Sequence, residues 1–151
     1  MKINSSKPEQ LSGEMRKIAI ILPRFNDELG TKLLNNTVKQ LQKHGVTSED
    51  IGLFRCPGAM ELPYTALRIT QKNEFDVIIA LGIIIQGATP HFDLVCRESH
   101  AGLMKVSLDQ NTPIIFGIIA AHNLEQVIER IEETQMNKGA DFADAALEMA
   151  Q

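Results

Sequence analysis

The residues best placed to do chemistry lie in the stretch 76–93, DVIIALGIIIQGATPHFD. An apolar run there leads into the small residues Gly87-Ala88-Thr89, and Pro90 then suits the first position of a helix, with Thr89 as its N-cap. Backbone amides at the start of a helix have no helical partner, and with the helix dipole they favour an anion. His91 adds an imidazole, a group that titrates near neutrality. The stretch therefore predicts an anion site and a proton-transfer group at one strand–helix junction.

Apolar runs and helical patterns alternate along the chain on both sides of this junction. Four of the runs are too short for typical helices and lack polar alternation, so they suit strands that are covered on both faces. A helical pattern follows each strand, and an Ala-rich helix after 137–139 comes last. This order predicts an α/β fold with a parallel sheet, helices on both faces and right-handed crossovers. The predicted strands are 17–22, 51–56, the run that begins at Val77, and 114–119.

Ligands of such sheets bind outside the carboxyl ends of the strands. Four segments of this chain should meet there: 25–26, 59–61, 87–91 and 120–123. Several candidate residues also have a purely structural explanation. An aromatic at 25 could cover the sheet edge, an acidic residue at 61 could oppose a helix dipole, and His91 could be a surface or capping residue. Convergence of the segments on one edge favours a functional site.

Composition narrows the classes of function. The chain has 151 residues, enough for one domain, and we expect a polar N-terminal arm at 1–15 and a single domain at 16–151. A net charge of −4 argues against nucleic acid as the main partner. No apolar stretch reaches the roughly 20 residues that span a bilayer, and the N-terminus lacks a signal-peptide core. We therefore expect a cytoplasmic protein without a membrane partner.

Common cofactor and metal motifs are absent from the sequence. The turn after the first strand, 23–27, has no glycine, which excludes a dinucleotide fingerprint there, and no P-loop pattern occurs. The histidines form no short cluster, and neither cysteine belongs to a paired motif, so the sequence predicts no metal site. Cys56 and Cys96 also make no disulfide framework, and we expect both to be small core residues.

Several separate motifs, agreeing in order and spacing, resemble the signatures of the 6,7-dimethyl-8-ribityllumazine synthase family. The resemblance runs from about residue 16 to the C-terminus without an evident gap, which makes it specific. The matching segments are 24–26 (RFN), 57–63 (PGAMELP), 87–93 (GATPHFD), 113–117 (PIIFG), 128–130 (IER) and 137–140 (NKGA).

The resemblance implies a flavodoxin-like three-layer α/β/α sandwich with a four-stranded parallel sheet in the order 2-1-3-4. It also implies an enzyme of riboflavin biosynthesis, a transferase that condenses 5-amino-6-(D-ribitylamino)uracil with 3,4-dihydroxy-2-butanone 4-phosphate and releases phosphate and water. It implies no metal and no organic cofactor. The implied partners are the two small-molecule substrates, further copies of the chain in a ring of five or a shell of sixty, and riboflavin synthase.

Carried over residue by residue, the resemblance gives each matching position a role. His91 would move protons during imine formation and phosphate elimination. Phe25 would stack on the uracil ring, with Phe116 of an adjacent subunit against the same ring, and Glu61 would accept hydrogen bonds from ribityl hydroxyls. The implied substrate-binding residues are Phe25, Asn26, Ala59, Met60, Glu61, Ile83, Ile84, Ile85 and Phe116, and the implied phosphate-binding residues are Gly87, Ala88, Thr89, Arg130 and Lys138.

The sequence departs from the family pattern at a few positions near the expected site. Gln86 stands where arginine is common, Met60 where an aromatic residue is common, and Thr134 where a lysine is customary. The run Ala120-Ala121-His122 replaces a usual Thr-Thr-acidic run. None of these changes removes a residue with a chemical role, but they bear on phosphate affinity and on assembly.

Two other functions are compatible with the sequence. One is a relative that binds a flavin or a lumazine without turnover, and the other is a self-assembling shell whose role is structural. The aromatic, acidic, imidazole and guanidinium groups assigned above favour an enzyme, because a scaffold needs none of them. The arm at 1–15 has no place in its own sheet and could pair with the edge strand of a neighbouring copy.

Overall fold

Four parallel strands form the centre of the molecule. The structure, a computed structural model, describes Pro8 and residues 10–151. Within those residues the strands are β1 (Ile18–Pro23), β2 (Ile51–Cys56), β3 (Val77–Ile85) and β4 (Ile114–Ala121), and the helices are α1 (Asp27–Lys43), α2 (Leu62–Lys72), α3 (His91–Gln110), α4 (Leu124–Ile131) and α5 (Lys138–Met149). The strands pair in the order β2-β1-β3-β4, as predicted.

Two hydrophobic cores lie on opposite faces of the sheet. β1 is buried at every position, and its alternate residues serve the two cores. Ile18, Ile20 and Leu22 pack with apolar residues of α1, α4 and α5. Ala19 and Ile21 pack with apolar residues of α2 and α3. The predicted three-layer α/β/α sandwich is therefore confirmed.

β3 extends beyond β1 at the carboxyl edge of the sheet. β1 pairs with β3 only as far as Ile21 opposite Ala80. β4 stays paired with β3 up to Ile85 opposite Ala121. Residues 81–85 of β3 therefore have a strand neighbour on one side only, and the space on the other side is open to a ligand.

At this edge a 3-10 turn, Ala59–Glu61, precedes α2, which begins at Leu62. One local prediction here was wrong. Thr89 is not the N-cap of α3, because Pro90 occupies that position and the helix begins at His91. The carbonyl of Pro90 accepts the first helical hydrogen bond, from the Leu94 amide at 3.3 Å, so the helix starts one residue later than predicted. Thr89 still supports the turn, since its Oγ1 accepts a hydrogen bond from the His91 amide at 3.4 Å.

Only part of the predicted N-terminal arm falls within the described residues. Residues 1–7 and 9 lie outside them. Leu11 packs against the core that contains α1 and α5. Gly13 is buried, and its amide donates to the carbonyl of His44 at 2.8 Å. Gly13 therefore contacts the end of α1 and Leu11 contacts the core, and the division at 15 and 16 stays a prediction.

Helices α1 and α5 approach each other closely at Gly139. A Cβ atom at this position would lie 2.9 Å from the carbonyl oxygen of Leu33 and 3.0 Å from the amide nitrogen of Thr37. Thr37 is fully buried, and its hydroxyl donates to the Leu33 carbonyl at 2.8 Å. Both neighbours are thus backbone atoms of a well-packed helix, and only glycine fits between them.

We predict that Gly139→Ala lowers the thermal unfolding midpoint by about 3–10 °C, because the added methyl group must push α5 away from α1. Thermal melting followed by circular dichroism measures the change. Gly82→Ala is the matched control, since its Cβ would meet only side-chain atoms at 3.6 Å or more. Equal shifts for the two variants would contradict the close packing at Gly139.

Candidate active site

A cavity of about 510 Å³ lies at the carboxyl ends of β1 and β3. Its volume is in the range of small-molecule sites, roughly 300–1,000 Å³. Its walls come from the end of β1, the turn before α2, the end of β3 and the start of α3. The lining residues are Pro23, Phe25, Pro57, Gly58, Ala59, Met60, Glu61, Ile83, Ile84, Ile85, Gly87, Thr89, His91, Phe92 and Val95. The cavity lies where the topology predicts a ligand.

Most residues that the sequence assigned to binding or catalysis line this cavity. They are Phe25, Ala59, Met60, Glu61, Ile83, Ile84, Ile85, Gly87, Thr89 and His91. The assigned residues that do not line it are Asn26, Ala88, Phe116, Arg130 and Lys138. Sequence reasoning missed the apolar and glycine residues of the wall, namely Pro23, Pro57, Gly58, Phe92 and Val95. All but Val95 lie in or beside the quoted motifs, whereas Val95 follows one turn later and carried no signal.

Backbone groups at the end of β3 face the cavity because β1 stops short. Residues of a parallel strand direct their amide and carbonyl groups alternately to one neighbour and to the other. The Gln86 amide faces the β4 side, where it donates to the Ala121 carbonyl at 2.9 Å. The Ile83 carbonyl faces the opposite side and accepts a hydrogen bond from Asn26 Nδ2 at 3.1 Å. By this alternation the amides of Ile83 and Ile85 point into the open space beside β3.

The turn after β1 presents an aromatic ring to the cavity. Asn26 has φ 59° and ψ 44°, a left-handed conformation that asparagine tolerates better than most residues. Its side chain holds the turn against β3 through Ile83, and the Phe25 amide donates to the Pro57 carbonyl at 3.2 Å. The turn is thus fixed on two sides, while Phe25 itself is 73% exposed. Such a ring offers a flat apolar surface to a planar ligand.

One oxygen of the Glu61 carboxylate has a structural role. Oε2 accepts a hydrogen bond from the Gly58 amide at 2.9 Å and so closes the 3-10 turn. The hydroxyl of Thr65 donates to the Glu61 carbonyl at 2.8 Å, which joins the turn to α2. Oε1 takes part in neither contact, and the residue is exposed at the cavity wall. An ionised carboxylate in this position can accept hydrogen bonds from hydroxyl groups.

The loop between β3 and α3 borders open space. Residues 86–91 are all exposed, and a Cβ at Gly87 would meet no atom within 4 Å. Helix α3 is 20 residues long and begins at His91, so its first-turn amides and the positive end of its dipole adjoin this space. The loop can therefore bind an anion, and the exposed imidazole beside it can move a proton.

Comparison with known proteins agrees with the motifs. A sequence model of the 6,7-dimethyl-8-ribityllumazine synthase family matches residues 15–151. The 6,7-dimethyl-8-ribityllumazine synthase of Chlorobium limicola is 43% identical over 139 residues, which cover 92% of this chain and 90% of the relative. The protein of the same name from Chlorobium chlorochromatii is 41% identical over 145 residues, covering 93% of this chain and 94% of the relative. This chain belongs to the 6,7-dimethyl-8-ribityllumazine synthase family.

In this lumazine synthase family member, the assigned residues on β4 and after it lie outside the cavity. Arg130 is on α4, with its side chain 35% exposed. Lys138 begins α5, where its Nζ lies 3.2 Å from Asp141 Oδ2. Phe116 is on β4, and its ring makes an edge contact with His100 at 5.7 Å between centroids. β4 is separated from β1 by β3, so the ends of the first and fourth strands are not neighbours in the sheet.

The two cysteines of this lumazine synthase family member are not activated as nucleophiles. Cys56 is 3% exposed, and burial raises the pKa of its thiol although a hydrogen bond with Thr65 opposes the shift. Burial also raises the pKa of Cys96, which is partly buried and packs against the same hydrophobic core as Cys56.

The described residues contain no group of three or more side chains that could hold a metal ion. Among the described helices, none is long and apolar enough to cross a membrane.

We predict that Asn26→Ala destabilises the protein more than Asn26→Gly does. Both variants lose the hydrogen bond to Ile83, worth about 1 kcal/mol. Alanine is also strained in the left-handed conformation, which adds about 1 kcal/mol relative to glycine. Urea denaturation measures the difference. A glycine variant less stable than the alanine variant would show that backbone strain at this turn is not the deciding effect.

Proposed function

We propose that this chain condenses 5-amino-6-(D-ribitylamino)uracil with 3,4-dihydroxy-2-butanone 4-phosphate to form 6,7-dimethyl-8-ribityllumazine, the penultimate step of riboflavin biosynthesis. The reaction releases phosphate and water. The observation that carries this function is the cavity, which surrounds one space with an exposed aromatic ring, a carboxylate, a helix start and an imidazole. Membership of the family over residues 15–151 supports the same reaction.

The uracil substrate fits the side of the cavity formed by β1 and β3. Phe25 offers its face to the planar ring. The amides of Ile83 and Ile85 have no partner strand on that side and can bond to the ring edge. Glu61 Oε1 and the backbone of the turn at 59–60 lie in the same wall of the cavity, where they can form hydrogen bonds with the ribityl hydroxyls.

The butanone phosphate fits the side formed by the loop and α3. The amides of 87–89 and the start of α3 favour its phosphate group. His91 is then beside both substrates, where an imidazole can remove and return protons during imine formation and phosphate elimination. Each proton transfer is local, and the reaction needs no covalent intermediate with the protein.

Proximity supplies much of the rate in this mechanism. The reaction joins two small molecules, and holding both in register can be worth an effective molarity of roughly 10⁵ M or more. A single general acid–base group contributes less, typically about 10²- to 10⁴-fold. We therefore expect loss of the imidazole to slow turnover without abolishing it.

An adjacent subunit completes the site in the proposed enzyme. Phe116, Arg130 and Lys138 do not line their own cavity, and β4, which carries Phe116, lies across β3 from β1. A neighbouring copy can bring the aromatic ring to the uracil and the guanidinium to the phosphate, with bidentate hydrogen bonds. One copy then contributes its cavity and the other contributes a different surface, a head-to-tail contact that closes into a ring when the rotation allows.

We propose a ring of five subunits acting in the cytoplasm, with a shell of sixty as a further assembly and riboflavin synthase as its protein partner. The segment 132–136 follows α4 and departs from the family pattern. We expect this segment to influence whether rings assemble further into a shell. Sedimentation equilibrium of the pure protein separates a monomer, a ring and a shell by mass. A protein that is fully active as a dilute monomer would rule out the shared site.

We predict that the pure protein forms the lumazine from both substrates and that His91→Ala lowers turnover by roughly 10- to 1,000-fold with fold and assembly intact. Absorbance and fluorescence of the product follow the reaction. Glu98→Ala is the control, because Glu98 is exposed on the same helix and does not line the cavity. Absence of product with wild-type protein would refute the proposed function. Unchanged turnover in His91→Ala would show that His91 is a surface residue without a catalytic role.

A further inference from the structure

Two of the positions where the sequence departs from its family pattern are in direct contact. Gln86 follows β3 and His122 follows β4, and the two are next in register because Ile85 is opposite Ala121. His122 Nδ1 donates a hydrogen bond to Gln86 Oε1. Both residues are exposed. We refer to this contact as the Gln86–His122 bridge.

The bridge continues into the first turn of α4. The backbone amide of His122 donates to Gln126 Oε1 at 2.8 Å. The amide of Gln126 donates to Oδ1 of Asn123, the N-cap of the helix, at 2.9 Å. The carbonyl of Gln126 accepts a hydrogen bond from Arg130 Nη1 at 2.9 Å. A series of hydrogen-bonded groups thus runs from the end of β3 to the Arg130 guanidinium.

Packing fixes only the later part of α4. Val127 and Ile131 are buried, at 0% and 1% exposure, and they anchor that part to the core. Leu124 is 51% exposed, and residues 122–125 are all on the surface. The first turn is therefore held mainly by hydrogen bonds. Arg130 Nη1 reaches back one turn to the Gln126 carbonyl at 2.9 Å and also lies 3.5 Å from Glu129 Oε2, so the placement of the guanidinium depends in part on that first turn.

The bridge also adjoins the cavity. Gln86 immediately precedes the loop 87–89, and the ring of His122 lies 6.3 Å from that of Phe92, between centroids, at 40°. Phe92 lines the cavity, whereas neither bridge residue does. The bridge therefore connects the loop of one site with the helix that carries Arg130.

We propose that the Gln86–His122 bridge positions Arg130 and thereby sets the affinity for the phosphate-bearing substrate. This role rests on the proposed function, in which Arg130 of one subunit binds the phosphate in the site of the next. Gln86 and His122 act through Gln126 and Arg130 and touch no substrate, so they are positioning residues. Losing the bridge frees the first turn of α4 and spreads the guanidinium over more positions, which weakens phosphate binding and leaves the uracil side unchanged.

The test is steady-state kinetics of the assembled protein with each substrate varied in turn. Gln86→Ala and His122→Ala should each raise KM for the butanone phosphate by about 3- to 10-fold, the loss of one hydrogen bond. KM for the uracil and kcat should change by less than about twofold. The double variant should match either single variant, because all three lack the same contact. His122→Asn should restore the wild-type KM, since an amide nitrogen can donate from nearly the position of Nδ1.

Two further variants separate the possible failures. Gln71→Ala changes an exposed glutamine on α2 and should match the wild type in both KM values. Arg130→Ala should raise KM for the butanone phosphate more than either bridge variant. If Arg130→Ala leaves that KM unchanged, the proposed role of Arg130 fails and the bridge role fails with it.

An effect of Arg130→Ala without any effect of the bridge variants would overturn the bridge role alone. Equal increases in KM for both substrates would also overturn it, because they indicate a general disturbance of the site. A His122→Asn variant no better than His122→Ala would do the same, since it would show that the hydrogen bond is not what matters.

Discussion

The unequal length of β1 and β3 is the constraint on which the rest of the site depends. β1 leaves β3 after Ile21, whereas β4 accompanies β3 to Ile85. A strand with a partner on one side only has amides that still need hydrogen bonds, and at this edge a ligand can supply them. The same extension carries the chain to the loop 87–89 and to the start of α3, so the open strand edge and the anion site are parts of one wall. A β1 as long as β3 would fill the cavity with protein.

The sheet order makes assembly a chemical requirement of the proposed enzyme. The cavity is built from the ends of β1 and β3, the turn before α2 and the start of α3, whereas Arg130 lies on α4, which follows β4. Arg130 is not among the residues that line the cavity beside Phe25 in the same chain. An adjacent copy removes the conflict, because its own β4 and α4 can face the cavity from outside. Catalysis by proximity then depends on the contact between subunits as much as on any side chain.

The layered fold could be predicted because its cause is local. Four unbroken apolar runs, each followed by a helical pattern, predict a buried parallel sheet. Because the carboxyl ends of its strands meet at one edge, the sequence also places Phe25, Glu61 and His91 close together. The contacts that shape the site were out of reach because they depend on register between distant segments. Asn26 was assigned to substrate, but in the structure its amide holds Ile83, which is 57 residues away. The pairing of Gln86 with His122 spans 36 residues and follows only from the alignment of β3 with β4. In the sequence, Gln86 and His122 are separate departures from the family pattern, and nothing in the sequence indicates that they touch.

The most direct test of a site shared between two subunits is complementation between two impaired chains, assayed with the butanone phosphate below its KM. His91→Ala chains keep a normal Arg130 for their neighbour, and Arg130→Ala chains keep a normal cavity. When the two are co-expressed in equal amounts and assemble at random, about a quarter of the sites combine an intact cavity with an intact arginine. Lumazine formation by the mixed assemblies should then clearly exceed the mean of the two variants assembled separately. Activity equal to that mean would show that each site is built within one chain.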